Sequence, residues 1–219
     1  MKSFDNEEIL FCDNHLLIAL KPAGMLTQPG ASMEESLETF AKAWVKQEYH
    51  KEGAVFIHAI HRLDRPVSGL VLFARTSKAL SRLNEQSRLL QIQRCYIAEV
   101  EGILPEKLGQ LDHHLIHGHH RAILATAEQE GAKHARLHFE VLHYMPHSTL
   151  VQIELDTGRY HQIRAQFGAI GHPIVGDQKY GAQGGDGQTI RLHAAKLAFA
   201  HPVTQEVLTF ESSPPFALN

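Results

Sequence analysis

Period-two alternation of apolar and polar residues recurs along this chain in stretches too short for helices, each closed by turn residues. Leu137, Phe139 and Val141 alternate with polar residues, as do Val151, Ile153 and Leu155. Successive strand side chains point to opposite faces, so each set predicts a strand with one buried face. Met145-Pro146-His147-Ser148 between them predicts the turn of an antiparallel hairpin. Residues 94–100 predict a further strand, with Tyr96, Ala98 and Val100 on one face and Cys95, Ile97 and Glu99 on the other. Near the start, Ile9–Phe11 and Leu16–Leu20 flank Asp13-Asn14 as strand, turn and strand, ended by Lys21-Pro22-Ala23-Gly24. At the end, Leu197–Ala200 pairs with Val207–Phe210 around His201-Pro202.

Helical periodicity is rarer. Leu37, Phe40, Ala41, Trp44 and Val45 recur at i, i+3, i+4, i+7 and i+8, behind a Ser32-Met33-Glu34-Glu35 capping box. A second helix is expected from about Ser77, with Leu80 and Leu83 inward and Arg82 and Arg88 outward. A third runs from Tyr160 to Ile170 and ends near Gly171. Ile163, Phe167 and Ile170 take its core side, and Arg164 falls beside Tyr160 and His161 on another side. Hairpin strands with few helices indicate an α+β fold with a largely antiparallel sheet. No repeat or linker divides the 219 residues, so one domain spanning 1–219 is expected.

Composition narrows the functional classes. The net charge of −3 offers no global basic excess, so affinity for nucleic acid would need a local basic surface. Cys12 and Cys95 are too few for a disulfide scaffold, and Cys95, beside Tyr96, reads as a buried, inert thiol. No apolar run approaches the ~20 residues that cross a bilayer, and the polar, acidic start has no signal-peptide core. A cytoplasmic location is the simplest expectation.

The densest chemistry lies in His61-Arg62-Leu63-Asp64-Arg65-Pro66-Val67-Ser68-Gly69-Leu70. Asp64 sits between two arginines, just before the apolar run Leu70–Ala74. Pro66 removes a backbone donor and Gly69 permits angles that other residues avoid, so the segment is a constrained loop. Guanidinium groups favour an ionised carboxylate and also bind phosphate. These are parts that a nucleophilic aspartate on a polyanion-binding surface needs. An ion pair capping a strand uses the same residues.

This segment resembles the His-Arg-Leu-Asp-x-x-Thr-Ser-Gly signature of the RluA-type pseudouridine synthases. Further matches follow in the same order: Tyr96-Ile97-Ala98 with Gly102, Thr157-Gly158-Arg159-Tyr160-His161-Gln162-Ile163-Arg164, Gly171–Asp177, Lys179-Tyr180-Gly181 and Leu192-His193-Ala194. The resemblance runs from about Ile9 to Phe210. It implies a mixed, largely antiparallel sheet in two halves flanked by helices, with a catalytic cleft between. Because the pattern already begins near Ile9, the S4-like RNA-binding module frequent in the family is not expected before it.

The resemblance also implies the reaction. The bond between uracil N1 and ribose C1′ breaks, the base turns, and it rejoins through C5. Asp64 would attack the anomeric carbon or stabilise its charge, or remove a C2′ proton to give a glycal. Arg164 matches the cation that pairs with the catalytic aspartate. Tyr96 matches the active-site tyrosine, whose ring stacks on the flipped uracil and whose hydroxyl helps remove the C5 proton. Ile163 would wall the base pocket, though it could equally be core. Arg62 resembles the arginine that holds the flipped state, and Arg65, Lys21, Arg159 and Lys179 are phosphate-contact candidates. The partner is RNA, ribosomal or transfer, and neither metal nor organic cofactor is expected. Two positions depart from the pattern: Val67 replaces a threonine and Arg94 replaces a lysine. Both put substrate preference in doubt more than activity.

Other classes remain open on the residues alone. His113, His114, His117, His119 and His120 crowd one segment, and an i, i+4 pair such as His113 and His117 can bind zinc on a helix. A metal hydrolase is therefore an alternative, although Gly118 interrupts the segment and an RNA-facing loop fits it better. The Gly181–Gly187 stretch lacks the Lys-Ser/Thr of a phosphate-cradling loop and reads as flexible. An RNA-binding or RNA-chaperone module without catalysis is a third reading.

Overall fold

The computed structural model describes residues 8–30 and 35–216. The chain divides into two compact units, Met1–Gln93 with Ala194–Ser213, and Arg94–His193 with Pro214–Asn219. The boundaries at Gln93 and His193 fall at the beginnings of strands, so no linker marks them in the sequence.

The first unit opens with β1 (Ile9–Cys12), β2 (Leu16–Lys21), α1 (Leu37–Glu48), β3 (His58–Ala59), β4 (Ser68–Ala74) and α2 (Ser77–Arg88). The Asp13-Asn14 turn forms as expected: Asp13 Oδ1 accepts from the backbone N–H of His15 and Leu16 at 2.7 and 2.8 Å. β2 and β4 pair antiparallel, with Leu16 opposite Ala74 and Lys21 opposite Gly69. All seven residues of β4 are buried, because both faces of the strand are covered. Leu83 and Ala79 of α2 pack on the face made by Leu16, Ile18, Leu70 and Leu72. The first helix begins at Leu37, capped by Ser36, whose Oγ accepts from Thr39 N–H. Of the expected capping box, Ser32, Met33 and Glu34 lie outside the described residues. Thr76 caps α2 in the same way through Ala79 N–H. Leu80 and Leu83 face inward as expected, while Arg82 turns back to donate to the Pro202 carbonyl at 2.6 Å.

The second unit contains β5 (Gln93–Glu101), β6 (Leu108–His117), β7 (Ala122–Ala125), β8 (Lys133–Tyr144), β9 (Ser148–Leu155) and α3 (Gln162–Ala169). Its strands lie in the order β5-β9-β8-β6-β7, and all the printed pairings between them are antiparallel. The β8–β9 hairpin closes through Met145 N–H to the Ser148 carbonyl. Leu137, Phe139 and Val141 are buried on one face, with His134, Arg136, His138 and Glu140 on the exposed one.

The chain then returns to the first unit through β10 (Leu192–Ala200) and β11 (Val207–Glu211). Leu197 pairs with Phe210 and Ala200 with Val207, as the sequence predicts. Among the described residues no helix is long and apolar enough to cross a membrane.

Candidate active site

Asp64 opens a β-turn over Asp64–Val67, closed by Val67 N–H donating to the Asp64 carbonyl at 3.0 Å. Buried Leu63 and Val67 anchor the turn on both sides, and Asp64 is left partly exposed between them. Thr27 Oγ1 donates to the Leu63 carbonyl at 2.9 Å and accepts from Leu63 N–H at 3.1 Å. The loop after β2 grips the other side. Gly24 N–H donates to the Arg65 carbonyl at 2.7 Å, and Arg65 Nε donates to the Gly24 carbonyl at 3.0 Å. Gly69, with φ of +122°, must be glycine: an added Cβ would lie 2.4 Å from the Ala194 backbone.

Lys21 departs from expectation. It is a phosphate-contact candidate in the sequence, yet its side chain is fully buried. Its ammonium donates to the carbonyls of Pro22, Met25 and Arg65 at 2.9, 2.7 and 3.2 Å. The amine is spent on holding the Asp64 turn and is not presented to a phosphate. Burial pulls its pKa from 10.5 down to about 7, with the Asp64 charge opposing that fall. Between those values the unfolded chain binds the proton more tightly, so this group makes stability rise with pH from about 7 to 10.5. Lys21→Met is expected to cost about 2 kcal/mol or more at neutral pH, because the Pro22 and Met25 carbonyls lose the ammonium donor and the Arg65 carbonyl keeps only Gly24 N–H. It should also flatten that pH dependence. Denaturant titrations of both proteins across the window check this, and parallel curves would contradict it.

In the second unit, Tyr96 lies on β5 opposite Ile153, 7% exposed, on the buried face with Ala98 and Val100. Arg94 sets the neighbouring backbone: a Cβ on Gly158 would meet both terminal nitrogens of its guanidinium at 2.9 Å. The Thr157-Gly158-Arg159 loop therefore rests on the residue that departs from the family pattern. Gln162 knots this loop. Its Oε1 accepts from Thr157 Oγ1 and Arg159 N–H at 2.8 and 2.9 Å, and its Nε2 donates to the Arg136 carbonyl at 3.1 Å.

Helix α3 starts from His161, whose left-handed φ of +52° turns the chain into it. It is shorter than the span Tyr160 to Ile170. Residues Gln162 to Phe167 are all buried, so it has no solvent face over its first six positions. Ile163 and Phe167 face the core as expected, whereas Ile170 is 37% exposed because the helix has already ended.

Arg164 is only 4% exposed and is held in a fork. Its Nε and Nη2 donate to the two carboxylate oxygens of buried Asp177 at 2.6 and 2.9 Å. Its Nη1 lies 3.0 Å from His161 Nε2. Arginine can only donate, so Nε2 accepts, and the ring proton of His161 sits on Nδ1. Nδ1 then donates to Tyr180 Oη at 2.8 Å, and that oxygen also accepts from Ala122 N–H at 2.7 Å. The Tyr180 ring lies 5.2 Å from the guanidinium carbon. Three of the five guanidinium N–H groups are thus used to orient the cation inside its own unit. Asp177, His161 and Tyr180 belong to motifs quoted above, but no spacing in the sequence pairs them with Arg164.

Of the remaining candidates, Arg62 and Arg65 are exposed. Arg159 Nε donates to the His134 carbonyl and Lys179 Nζ to the His120 carbonyl. The histidine segment is a strand and the following turn, not a helix. Four strand positions span about 13 Å, too far for His113 and His117 to share a metal. Among the described residues no group of three or more His, Cys, Asp or Glu could hold a metal ion.

The sequence pattern of the family described as RNA pseudouridylate synthase matches residues 15–169. The dual-specificity RNA pseudouridine synthase RluA of Pasteurella multocida is 36% identical over 212 residues, covering 95% of this chain and 94% of that protein. The ribosomal large subunit pseudouridine synthase D of Nitrosomonas europaea is 35% identical over 218 residues. Here the chain spans 62% of the relative's length. Among solved structures, human RNA pseudouridylate synthase domain containing 4 superposes with a TM-score of 0.80 at 20% identity, covering 96% of this chain and 89% of that one, a likeness of fold. With 155 residues inside the family pattern and a relative matched over nearly its whole length, the chain belongs to the RNA pseudouridylate synthase family, in its RluA-type branch.

Proposed function

We propose that the protein isomerises uridine to pseudouridine in RNA, with Asp64 acting on the ribose, Tyr96 on the base, and Arg164 as the cation that the family pairs with its nucleophile. The observation that carries this reading is the build of the Asp64 turn. Backbone bonds and the buried Lys21 fix the turn from both sides and leave the carboxylate partly exposed. That is the preorganisation a nucleophile or charge stabiliser at an anomeric carbon requires. In the reaction the N1–C1′ bond breaks and a C5–C1′ bond forms. N1 gains a proton and C5 loses one, so no atom is lost overall.

The RNA is ribosomal or transfer RNA, and the name of the Nitrosomonas europaea relative supports the ribosomal choice. Its target base must leave the stack, at a cost of a few kcal/mol that is lower in loops. Arg62 and Arg65 supply exposed cations beside Asp64. Arg159 and Lys179, each bonded to a carbonyl, serve phosphates. Ile163 is a buried wall of α3. RNA labelled with tritium at uracil C5 tests the reading: an enzyme releases the label to water, and a mere RNA binder does not.

Tyr96→Phe is expected to slow tritium release by about 10²-fold, the usual scale of general acid–base assistance. Phenylalanine keeps the buried ring and loses only the hydroxyl, so RNA affinity should hold. Quenched-flow release measured beside affinity checks this. Wild-type release would leave Tyr96 a stacking residue alone.

A further inference from the structure

Three rings form a column at the N-terminus of α3. Tyr160 stacks on His161 at 3.9 Å between centroids with planes 22° apart. It stacks on His117 at 4.2 Å and 27°. Two rings this close and nearly parallel to a third cannot share one of its faces, so the order is His117–Tyr160–His161. The inner end is buried and holds Arg164 through His161 Nε2. The outer end, His117, is exposed at the last position of β6.

The turn that follows brings Arg121 and Lys179 close to the column. Gly118 N–H donates to the Arg121 carbonyl at 3.0 Å, closing the Gly118–Arg121 turn, and a Cβ on Gly118 would lie 2.7 Å from that carbonyl oxygen. Lys179 Nζ and Tyr160 Oη both reach the His120 carbonyl, at 3.1 and 3.5 Å, tying the turn to the column. Among the described residues none of Arg121, Arg159 and Lys179 is paired with a carboxylate, and Arg121 is exposed.

We infer that the outer face of His117 is a stacking subsite for a nucleobase near the reacting one, with Arg121 and Lys179 serving the adjoining phosphates. The inference rests on the proposed action on RNA and adds a place where that RNA is held. Every base has a π-face, so a terminal ring of a preformed column accepts any base without ordering new side chains. Two ring steps separate His117 from the imidazole that positions Arg164. A base held there belongs to a nucleotide close to the target in sequence, not to a distant helix.

The test is binding, not turnover, so it is independent of whether Asp64 is the nucleophile. A fluorescent single-stranded ten-nucleotide oligouridylate is titrated with the full chain and followed by anisotropy. His117→Ala is expected to weaken binding by about 10-fold, the lower end of what one base–ring stack contributes. His117→Phe, which keeps a ring and loses the imidazole nitrogens, is expected to restore affinity to within about 2-fold. Arg121→Gln should lower the log–log salt slope by about 0.7, one phosphate on a single strand. Thermal melts of both His117 variants confirm the fold, and Phe is the control should Ala lower the melting point. Wild-type affinity in the Ala variant overturns the subsite. A Phe variant as weak as Ala overturns stacking as its basis.

Discussion

Asp64→Asn is expected to abolish isomerisation while RNA affinity stays within several-fold of wild type. Asparagine is nearly isosteric, and the turn it opens is held through its backbone: Val67 N–H on the Asp64 carbonyl, and Gly24 N–H and the Lys21 ammonium on the Arg65 carbonyl. The substitution therefore leaves the loop in place and removes the carboxylate alone. Without it no group on this loop can attack C1′ or take a C2′ proton. Affinity comes from phosphate contacts spread over several cations and is largely insensitive to one uncharged replacement. Tritium release and anisotropy on the same preparation separate the two quantities. Turnover above a few per cent of wild type would remove Asp64 from the mechanism.

Asp177→Asn is expected to cost about 3–5 kcal/mol, the scale for breaking a buried ion pair by removing one partner. Arg164 and Asp177 are 4% and 1% exposed, and the fork between them satisfies both carboxylate oxygens. The amide keeps one acceptor, turns a donor towards the guanidinium and removes the charge that both oxygens of the fork supply. Arg164→Met with Asp177→Leu removes both charges and should recover most of that stability, because apolar side chains need no partner. Activity should stay lost in the double variant if Arg164 works on the substrate. Urea midpoints and tritium release across the single and double variants check this. A single variant within about 1 kcal/mol of wild type would mean that the pair is not the structural bond its geometry indicates.

The strands were legible wherever one face is wet. Leu137, Phe139 and Val141 alternate with exposed residues because water selects every second position, whereas Glu99 on the far face of β5 is buried and bonded to Ser148 and Arg191. The hairpins at Asp13-Asn14 and His201-Pro202 were legible through their turn residues. Helix α3 was read less well, because Gln162 to Phe167 are buried all round and carry no polar stripe to set the period. Its helical start at a left-handed histidine has no side-chain cap to announce it. The histidine-rich segment was open between loop and helix. Its strand character comes from pairing with β8, a partner 22 residues away that places Asp112 beside His134.

The sequence by itself determined the family, the α+β class and the identity of Asp64, Tyr96 and Arg164 as the residues to test. Those features rest on residue type and local order, which a linear chain displays. What only the tertiary structure decided is what each charged group is spent on. Lys21 and Arg65 read alike as cations beside a catalytic loop, yet one is sealed inside on three carbonyls and the other is exposed. Arg164 reads as a helix arginine, yet Asp177, thirteen residues on, takes two of its donors and His161 a third. Hydrogen-bond partners and burial are properties of packing between segments distant in sequence. They appear only when the chain has folded.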